Sequence, residues 1–311
     1  MIAAVTLDWC LGEPRGWHPL VGFGAVAQRL ESALHGGDGV SPASARWRGT
    51  LAVLLAIVLP TALVAMLIRI PWIGVTLQAL VLYLVVGRRS LHEHARGVAE
   101  ALDGENLANA RHRVAMIVSR DTGGMQRVEI ARAAVESVLE NGNDAVFGAL
   151  FWFALAGAPG ALLYRLVNTL DAMWGYRTPH YLHFGRPAAR LDDLLNLIPA
   201  RLTALTYALC GHANSALQCW RQQGRLWESP NAGPVMAAGA GSLEVRLGGP
   251  AFYHGHWKVR PALGQGAEPE ARDIARALRL VSRGILIWLG IAAASVLIIF
   301  SYQRFTLLRL P

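Results

Sequence analysis

Four stretches of this chain run for eighteen residues or more without a charged side chain. Leu51–Ile68 and Ile70–Gly87 each contain eighteen uncharged residues and are separated only by Arg69; Ala145–Tyr164 contains twenty and Gly284–Tyr302 nineteen. A helix of that length can cross the roughly 30 Å hydrocarbon core of a bilayer. Backbone placed in lipid must satisfy its own hydrogen bonds, so these runs predict helices rather than open sheet. Composition agrees: 53% of the 311 residues are hydrophobic and only 16% are charged, against about 25% in soluble domains. The same figures exclude a disordered chain, and three cysteines, Cys10, Cys210 and Cys219, cannot staple a fold of this size.

The runs differ in kind. Arg46 and Arg48 precede the first, Arg88, Arg89 and Arg96 follow the second, and Pro60 and Pro71 kink or delimit them. A helical hairpin with both outer flanks in the cytoplasm is the expectation, because cytoplasmic flanks carry the excess of arginine. Gly284–Tyr302 is flanked by arginine on both sides, which leaves its orientation open. Gly157-Ala158-Pro159-Gly160 divides Ala145–Tyr164 into two pieces too short to cross separately. That segment is either a kinked span or a re-entrant hairpin, and a re-entrant hairpin requires protein cover for its broken backbone. No segment reads as a sheet, and residues 222–271 read as loop. The predicted fold is all-α: a single polytopic integral membrane domain over 1–311, with four to five membrane-embedded helical segments, one of them re-entrant if the hairpin holds. Polar segments 88–144 and 165–283 supply cytoplasmic helices and loops.

The formal charge is +8, from 29 basic and 21 acidic residues, and Lys258 is the only lysine. The arginines are scattered and accompany no nucleic-acid-binding motif, so no nucleic-acid partner is expected. The acids, in contrast, gather in compact strings. Asp8, Gly12-Glu13-Pro14 and His18-Pro19 form the first. Ser119-Arg120-Asp121-Thr122 leads into a segment where Glu136, Glu140 and Asn143-Asp144 share one helical face. Like charges at that spacing repel and favour a cation between them, although an Arg132–Glu136 ion pair is a plainer reading. Asn168-Thr169-Leu170-Asp171 and Ala189-Arg190-Leu191-Asp192-Asp193 follow, then Pro199-Ala200-Arg201 and Ser229-Pro230-Asn231-Ala232-Gly233. Adjacent aspartates running into the apolar 194–198 stretch are costly near hydrocarbon unless paired or metal-bound; helix capping is the alternative. Oxygen-only acid clusters suit Mg²⁺, which takes one or two carboxylates plus substrate phosphates. No GxxxxGK[ST], GxGxxG, HExxH or CxxC motif is present. Residue types alone therefore reach a polytopic membrane protein with a polar site suited to phosphate and Mg²⁺.

Taken in order, Ser-Arg-Asp-Thr at 119–122, Ala-Val-Glu-Ser at 134–137 with Glu140-Asn141, Asn-Thr-Leu-Asp-Ala-Met at 168–173, Gly-Tyr-Arg at 175–177, Ala-Arg-Leu-Asp-Asp-Leu-Leu-Asn at 189–196 and Ser-Pro-Asn-Ala-Gly at 229–233 resemble the adenosylcobinamide-phosphate synthase family of cobalamin biosynthesis, the CobD/CbiB type. The resemblance extends from Asp8 to about Tyr253. It implies a multi-pass enzyme of the bacterial inner membrane with its site facing the cytoplasm. The implied reaction joins adenosylcobyric acid to aminopropanol, or its phosphate, as an amide, with ATP as co-substrate and Mg²⁺. On that reading Glu136, Glu140, Asp192 and Asp193 serve as metal ligands or base. Arg120, Arg190 and Arg201 hold phosphate, and Asp121, Asn168, Asp171 and Asn231 bind or orient substrate. Membrane lipid and other enzymes of the pathway are the expected partners.

Nucleotide is cytoplasmic, and the strings at 119–144 and 168–201 flank Ala145–Tyr164; a common site favours the re-entrant hairpin over the kinked span. The alternative function is a non-catalytic transporter or sensor of a corrinoid or other anionic ligand. A transporter predicts paired, repeat-related broken helices, whereas the sequence has one broken segment and no repeat.

Overall fold

The computed structural model describes residues 1–14, 18–37, 39–253 and 255–307. Twelve α-helices account for most of them, and buried apolar side chains from the first to the last form one continuous cluster. The start of the chain carries α1 (Ile2–Leu11) and α2 (Pro19–Leu34). His18 Nδ1 accepts from the Leu20 N–H at 3.2 Å and Pro19 occupies the first helical position, so His18-Pro19 is a helix start in which neither residue wastes a donor.

The long helix α3 (Pro42–Leu67) begins in the same way, with Ser41 as its cap. Leu54, Val58, Leu59, Leu63 and Met66 remain exposed along it. The second uncharged run does not form a full span. Residues 68–73 turn, and α4 (Gly74–Val85) has twelve residues, about 18 Å of helix. It ends at extended Val86, and α5 (Arg88–Asp103) starts two residues later. Gly87 has no side chain to cap α5; the buried Asp8 carboxylate of α1 does so, accepting from the Arg89 N–H at 3.1 Å. Burial pushes the Asp8 carboxyl up to about 6, against the opposing pull of the Arg89 N–H and the Arg88 guanidinium.

After α6 (Leu107–Ala115), α7 (Arg127–Gly142) begins with a reciprocal Gln126–Glu129 capping box. It continues through a single π-helical turn, Asn143–Phe147, into α8 (Gly148–Trp174). Among the described residues, the helical track 127–174, with Pro42–Leu67 and Ala271–Gln303, is one of three long and apolar enough to cross a membrane. It is not straight. Gly157 takes φ +63° beside non-helical Ala156, with Pro159 following, a conformation open to glycine at little cost. Beyond it the chain folds back: a Cβ at Gly160 would lie 2.6 Å from the Trp152 carbonyl, and one at Gly148 would overlap the Tyr164 ring. Gly87 touches both Ala145 and Arg165, which places the two ends of the hairpin at one level.

Two helices complete the interior. α9 (Arg186–Cys210) turns Asn196, Pro199, Thr203 and Tyr207 inward and leaves Leu194, Ile198, Leu205 and Leu209 exposed, the 3.6-residue alternation of a helix between polar core and lipid. α3 and the last helix carry exposed apolar stripes as well. α10 (Ala213–Gln223) packs on α11 (Ala232–Leu243), whose twelve residues are all buried. Small residues permit that approach: a Cβ at Gly241 would meet the Ser215 carbonyl at 2.7 Å.

The segment read as loop contains two short antiparallel ladders. β1 (Leu247–Gly248) pairs with β4 (Ala262–Leu263), and β2 (Ala251–Tyr253) pairs with β3 (His256–Lys258), setting Phe252 opposite Trp257. With two or three residues each, they are too brief for a period-two pattern to show in sequence. α12 (Ala271–Leu307) closes the fold against α5 and α7 and then emerges with Leu286, Ile291, Leu297 and Ile298 exposed.

Candidate active site

A cavity of about 790 Å³ opens between α5, α7, α8 and the β1–β4 segment, lined by Glu13, Ser119, Arg120, Glu136, Glu140, Asn141, Asp144, Arg165, Asp171, Trp227, Tyr253 and Arg260 among others. One wall is built on Glu136, which is 3% exposed. Arg120 Nη2 donates to its Oε2. Arg260 donates from Nη1 to Oε2 at 3.1 Å and from Nη2 to Oε1 at 3.3 Å. The Gly248 N–H adds a fourth bond to Oε1 at 2.8 Å. Arg260 is itself fixed by the Gly249 carbonyl and lies over the Trp227 ring, 5.1 Å from its centroid. Arg132, expected as the partner of Glu136, pairs with Glu268 instead. Two guanidinium groups against one carboxylate leave this triad with a surplus positive charge beside the cavity.

Another part of the wall is acidic. Glu140, Asp144 and Asp171 line it, and each interacts electrostatically with Asp192, which adjoins the wall on α9. The π-helical turn contributes to this arrangement: Asp144 is its second residue, at the point where the α-helical register changes. Asp192 accepts from Asn168 Nδ2 at 3.3 Å and Asn196 Nδ2 at 3.0 Å. The carboxylates of Glu140 and Asp171 accept no hydrogen bond among the described residues. Arg165 at the cavity edge lies within electrostatic reach of Asp144 and Glu13.

A smaller cavity, about 470 Å³, shares Arg120 with the first. Asp121, Gly123, Gly124, Arg132, Phe252 and Trp257 line it. Asp121 fastens its two sides together, donating its N–H to the Phe252 carbonyl and accepting the Gly255 N–H at 3.0 Å.

The predicted residues thus fall into three places. Arg120, Glu136, Glu140 and Asp171 line the large cavity, with Asp192 and Asn168 adjoining it, and Asp121 lines the small one. Asp193, Arg190, Arg201 and Asn231 line neither: Asn231 bridges the Arg201 guanidinium and the Asp193 carbonyl, and Arg190 is exposed beside Asp193. Because α9 starts at Arg186, Asp192 and Asp193 lie in its second turn and cap nothing. Sequence reasoning missed Arg260 and Arg165 as site residues and left Asp144 aside. Arg165 carried a signal, as the charge that ends an uncharged run three positions before Asn168. Arg260 carried none.

Comparison with known proteins fits this arrangement of motifs. Residues 1–281 match the family described as "CobD/Cbib protein". The chain belongs to the CobD/CbiB family. It is 54% identical over 298 residues to the cobalamin biosynthesis protein CobD of Chromobacterium violaceum, covering 95% of this chain and 96% of that protein. Its identity to the CobD of Stutzerimonas stutzeri is 56% over 291 residues, covering 93% and 94%. The CobD of Rhodobacter capsulatus is 39% identical over 307 residues, covering 94% and 96%. No solved structure matches the chain.

Proposed function

We propose that this CobD/CbiB protein is an adenosylcobinamide-phosphate synthase, a carbon–nitrogen ligase that joins the free carboxylate of adenosylcobyric acid to aminopropanol phosphate at the expense of ATP. The observation that carries the reading is the polarity of the large cavity. Surplus guanidinium charge and a cluster of carboxylates line one cavity, which suits a small molecule that carries both a phosphate and an ammonium. Free aminopropanol would bring no anion to the surplus positive charge of the Arg120–Glu136–Arg260 triad.

A carboxylate does not condense with an amine unaided. In the proposed sequence its oxygen attacks the γ-phosphorus and ADP departs; the amine then attacks the acyl carbon, phosphate departs, and the ammonium proton passes to a protein carboxylate. Glu140 and Asp171 are suited to accept it, since hydrogen bonds to other side chains do not occupy their oxygens. Arg120 and Arg260, preset by Glu136, neutralise phosphate charge without reorganising during reaction. The smaller cavity suits the nucleotide: Phe252 and Trp257 offer the base an aromatic face, and Arg120 stands between it and the acidic wall.

Among the described residues no three His, Cys, Asp or Glu side chains form a ready-made metal cage. Mg²⁺ does not require one, because it binds through one or two carboxylates together with substrate phosphates and water. The oxygen-only pair Asp144 and Asp192 beside the acidic wall fits that chemistry, and Mg²⁺ held there would supply charge neutralisation to the transferring phosphoryl group. The exposed apolar stripes of α3, α9 and α12 support a location in the bacterial inner membrane, and the cytoplasmic supply of nucleotide supports a site that faces the cytoplasm.

The test is amide formation by the purified full-length protein with adenosylcobyric acid, aminopropanol phosphate, ATP and Mg²⁺. Product that depends on ATP, and its loss in Asp192→Asn and Glu136→Gln, is expected. Wild-type protein giving no ATP-dependent amide would end the proposal.

A further inference from the structure

Behind the acidic wall, four buried polar side chains from α8, α9 and the π-helical turn form one closed network. Asn143 Nδ2 donates to Asp144 Oδ1 and to Asn196 Oδ1, both at 2.8 Å. Asn196 Oδ1 also accepts the Tyr164 hydroxyl at 2.9 Å, and Asn196 Nδ2 donates to Asp192 Oδ2 at 3.0 Å. Thr203 Oγ1 donates to Asn143 Oδ1 at 2.9 Å. Asn143 and Asn196 are each 2% exposed. An ionised carboxylate can only accept, so with Asp144 and Asp192 ionised, as cation binding requires, the direction of every bond follows from the ends. Asp144 therefore demands the amino side of Asn143, Asp192 demands the amino side of Asn196, and the two carbonyl oxygens must find other donors. Asn143 supplies one to Asn196; Tyr164 and Thr203 supply the rest.

The result is a chain of carboxylate, amide, amide and carboxylate that ties two like charges from different helices into a fixed relation. Packing of α7 to α9 does not need it: apolar side chains would join these helices without burying amides beside acids that repel one another. We propose that Asn143 and Asn196 are positioning residues whose amide bridge holds Asp144 and Asp192 for joint use of a divalent cation, and that the Tyr164 hydroxyl sets the orientation of the bridge. This rests on the metal reading given above. Groups that orient metal-binding carboxylates commonly change metal affinity roughly 10- to 100-fold when removed.

The experiment titrates Mn²⁺, as a spectroscopic substitute for Mg²⁺, into purified full-length protein with ATP present, and follows free Mn²⁺ by electron paramagnetic resonance alongside thermal unfolding. Asn196→Ala should weaken binding roughly 10- to 100-fold. Tyr164→Phe, which removes one hydroxyl and keeps the ring, should weaken it several-fold and change Tm little. Ser242→Ala removes an equally buried hydrogen bond, to the Tyr207 carbonyl, and should lower Tm without altering Mn²⁺ affinity. Unchanged affinity in folded Asn196→Ala and Tyr164→Phe would overturn the bridge while leaving the metal reading intact. Wild-type protein that takes up no Mn²⁺ would overturn both.

Discussion

The Tyr164 ring packs directly against the backbone of Gly148, sixteen positions earlier in the same helical track. In a straight α-helix those residues would stand about 24 Å apart, so this single contact defines the fold-back at Gly157. Gly148→Ala puts a methyl group where the ring lies, and overpacking of this kind costs about 1–3 kcal/mol. Gly123→Ala, where nothing lies within 4 Å, is the control. Thermal unfolding in detergent should show a lower Tm for the first variant only; equal values would show that the hairpin is loose.

On the proposed function, Arg260 is the residue that would distinguish the phosphorylated from the free amine. Arg260→Lys keeps the charge and loses the two-pronged contact, and a hydrogen bond to a charged group contributes about 1.5–3 kcal/mol. The KM for aminopropanol phosphate should rise roughly 10- to 100-fold, with that for aminopropanol little changed. An equal rise for both amines would remove Arg260 from the phosphate end.

Trp257 tests the small cavity. Stacking of a base on an aromatic ring contributes about 1–3 kcal/mol, so Trp257→Ala should raise the KM for ATP roughly 5- to 150-fold and leave that for the corrinoid unchanged. The reverse outcome would assign the small cavity to the corrinoid.

Asp8 predicts a pH dependence outside the site. Its carboxyl titrates near 6 when folded, against an ordinary value of 3.8, so the folded state holds the proton more tightly than the unfolded one. Its favourable contribution is complete below about pH 4 and is lost as pH rises through 6. Relative to Asp8→Asn, the wild-type Tm should fall across that interval and run parallel above it. Curves parallel throughout would refute the shift.

The sequence exposes features that repeat or break locally. Uncharged runs reveal α3 and α12 because every residue of a lipid-facing helix reports the same solvent, and Gly157 with Pro159 reveals the fold-back because a broken backbone needs those residues. The shortness of α4 was hidden, since the turn at 68–73 is as apolar as the helix it replaces. Glu140 and Asp171 could be identified from their strings, but the role of Glu136 could not. Its principal partner, Arg260, lies 124 positions away in a segment without a motif, and only tertiary folding brings a carboxylate and two guanidinium groups together. The same limit explains why Asp192 and Asp193, adjacent in sequence, have different partners: successive residues on α9 point about 100° apart, Asp192 onto Asn168 and Asn196 and Asp193 beside Arg190 and Arg177, while Asp171 interacts with both.

The fold-back at Gly157 also bears on how the protein is made. A segment that enters the apolar layer and returns leaves both of its ends on the side where it began. The carboxylates before it, Glu140 and Asp144, and those after it, Asp171 and Asp192, therefore never need to be carried through hydrocarbon during insertion. Ionised groups at that depth would resist transfer; here the chain sends only its uncharged loop inward, and the charged ends meet again at the level from which they started.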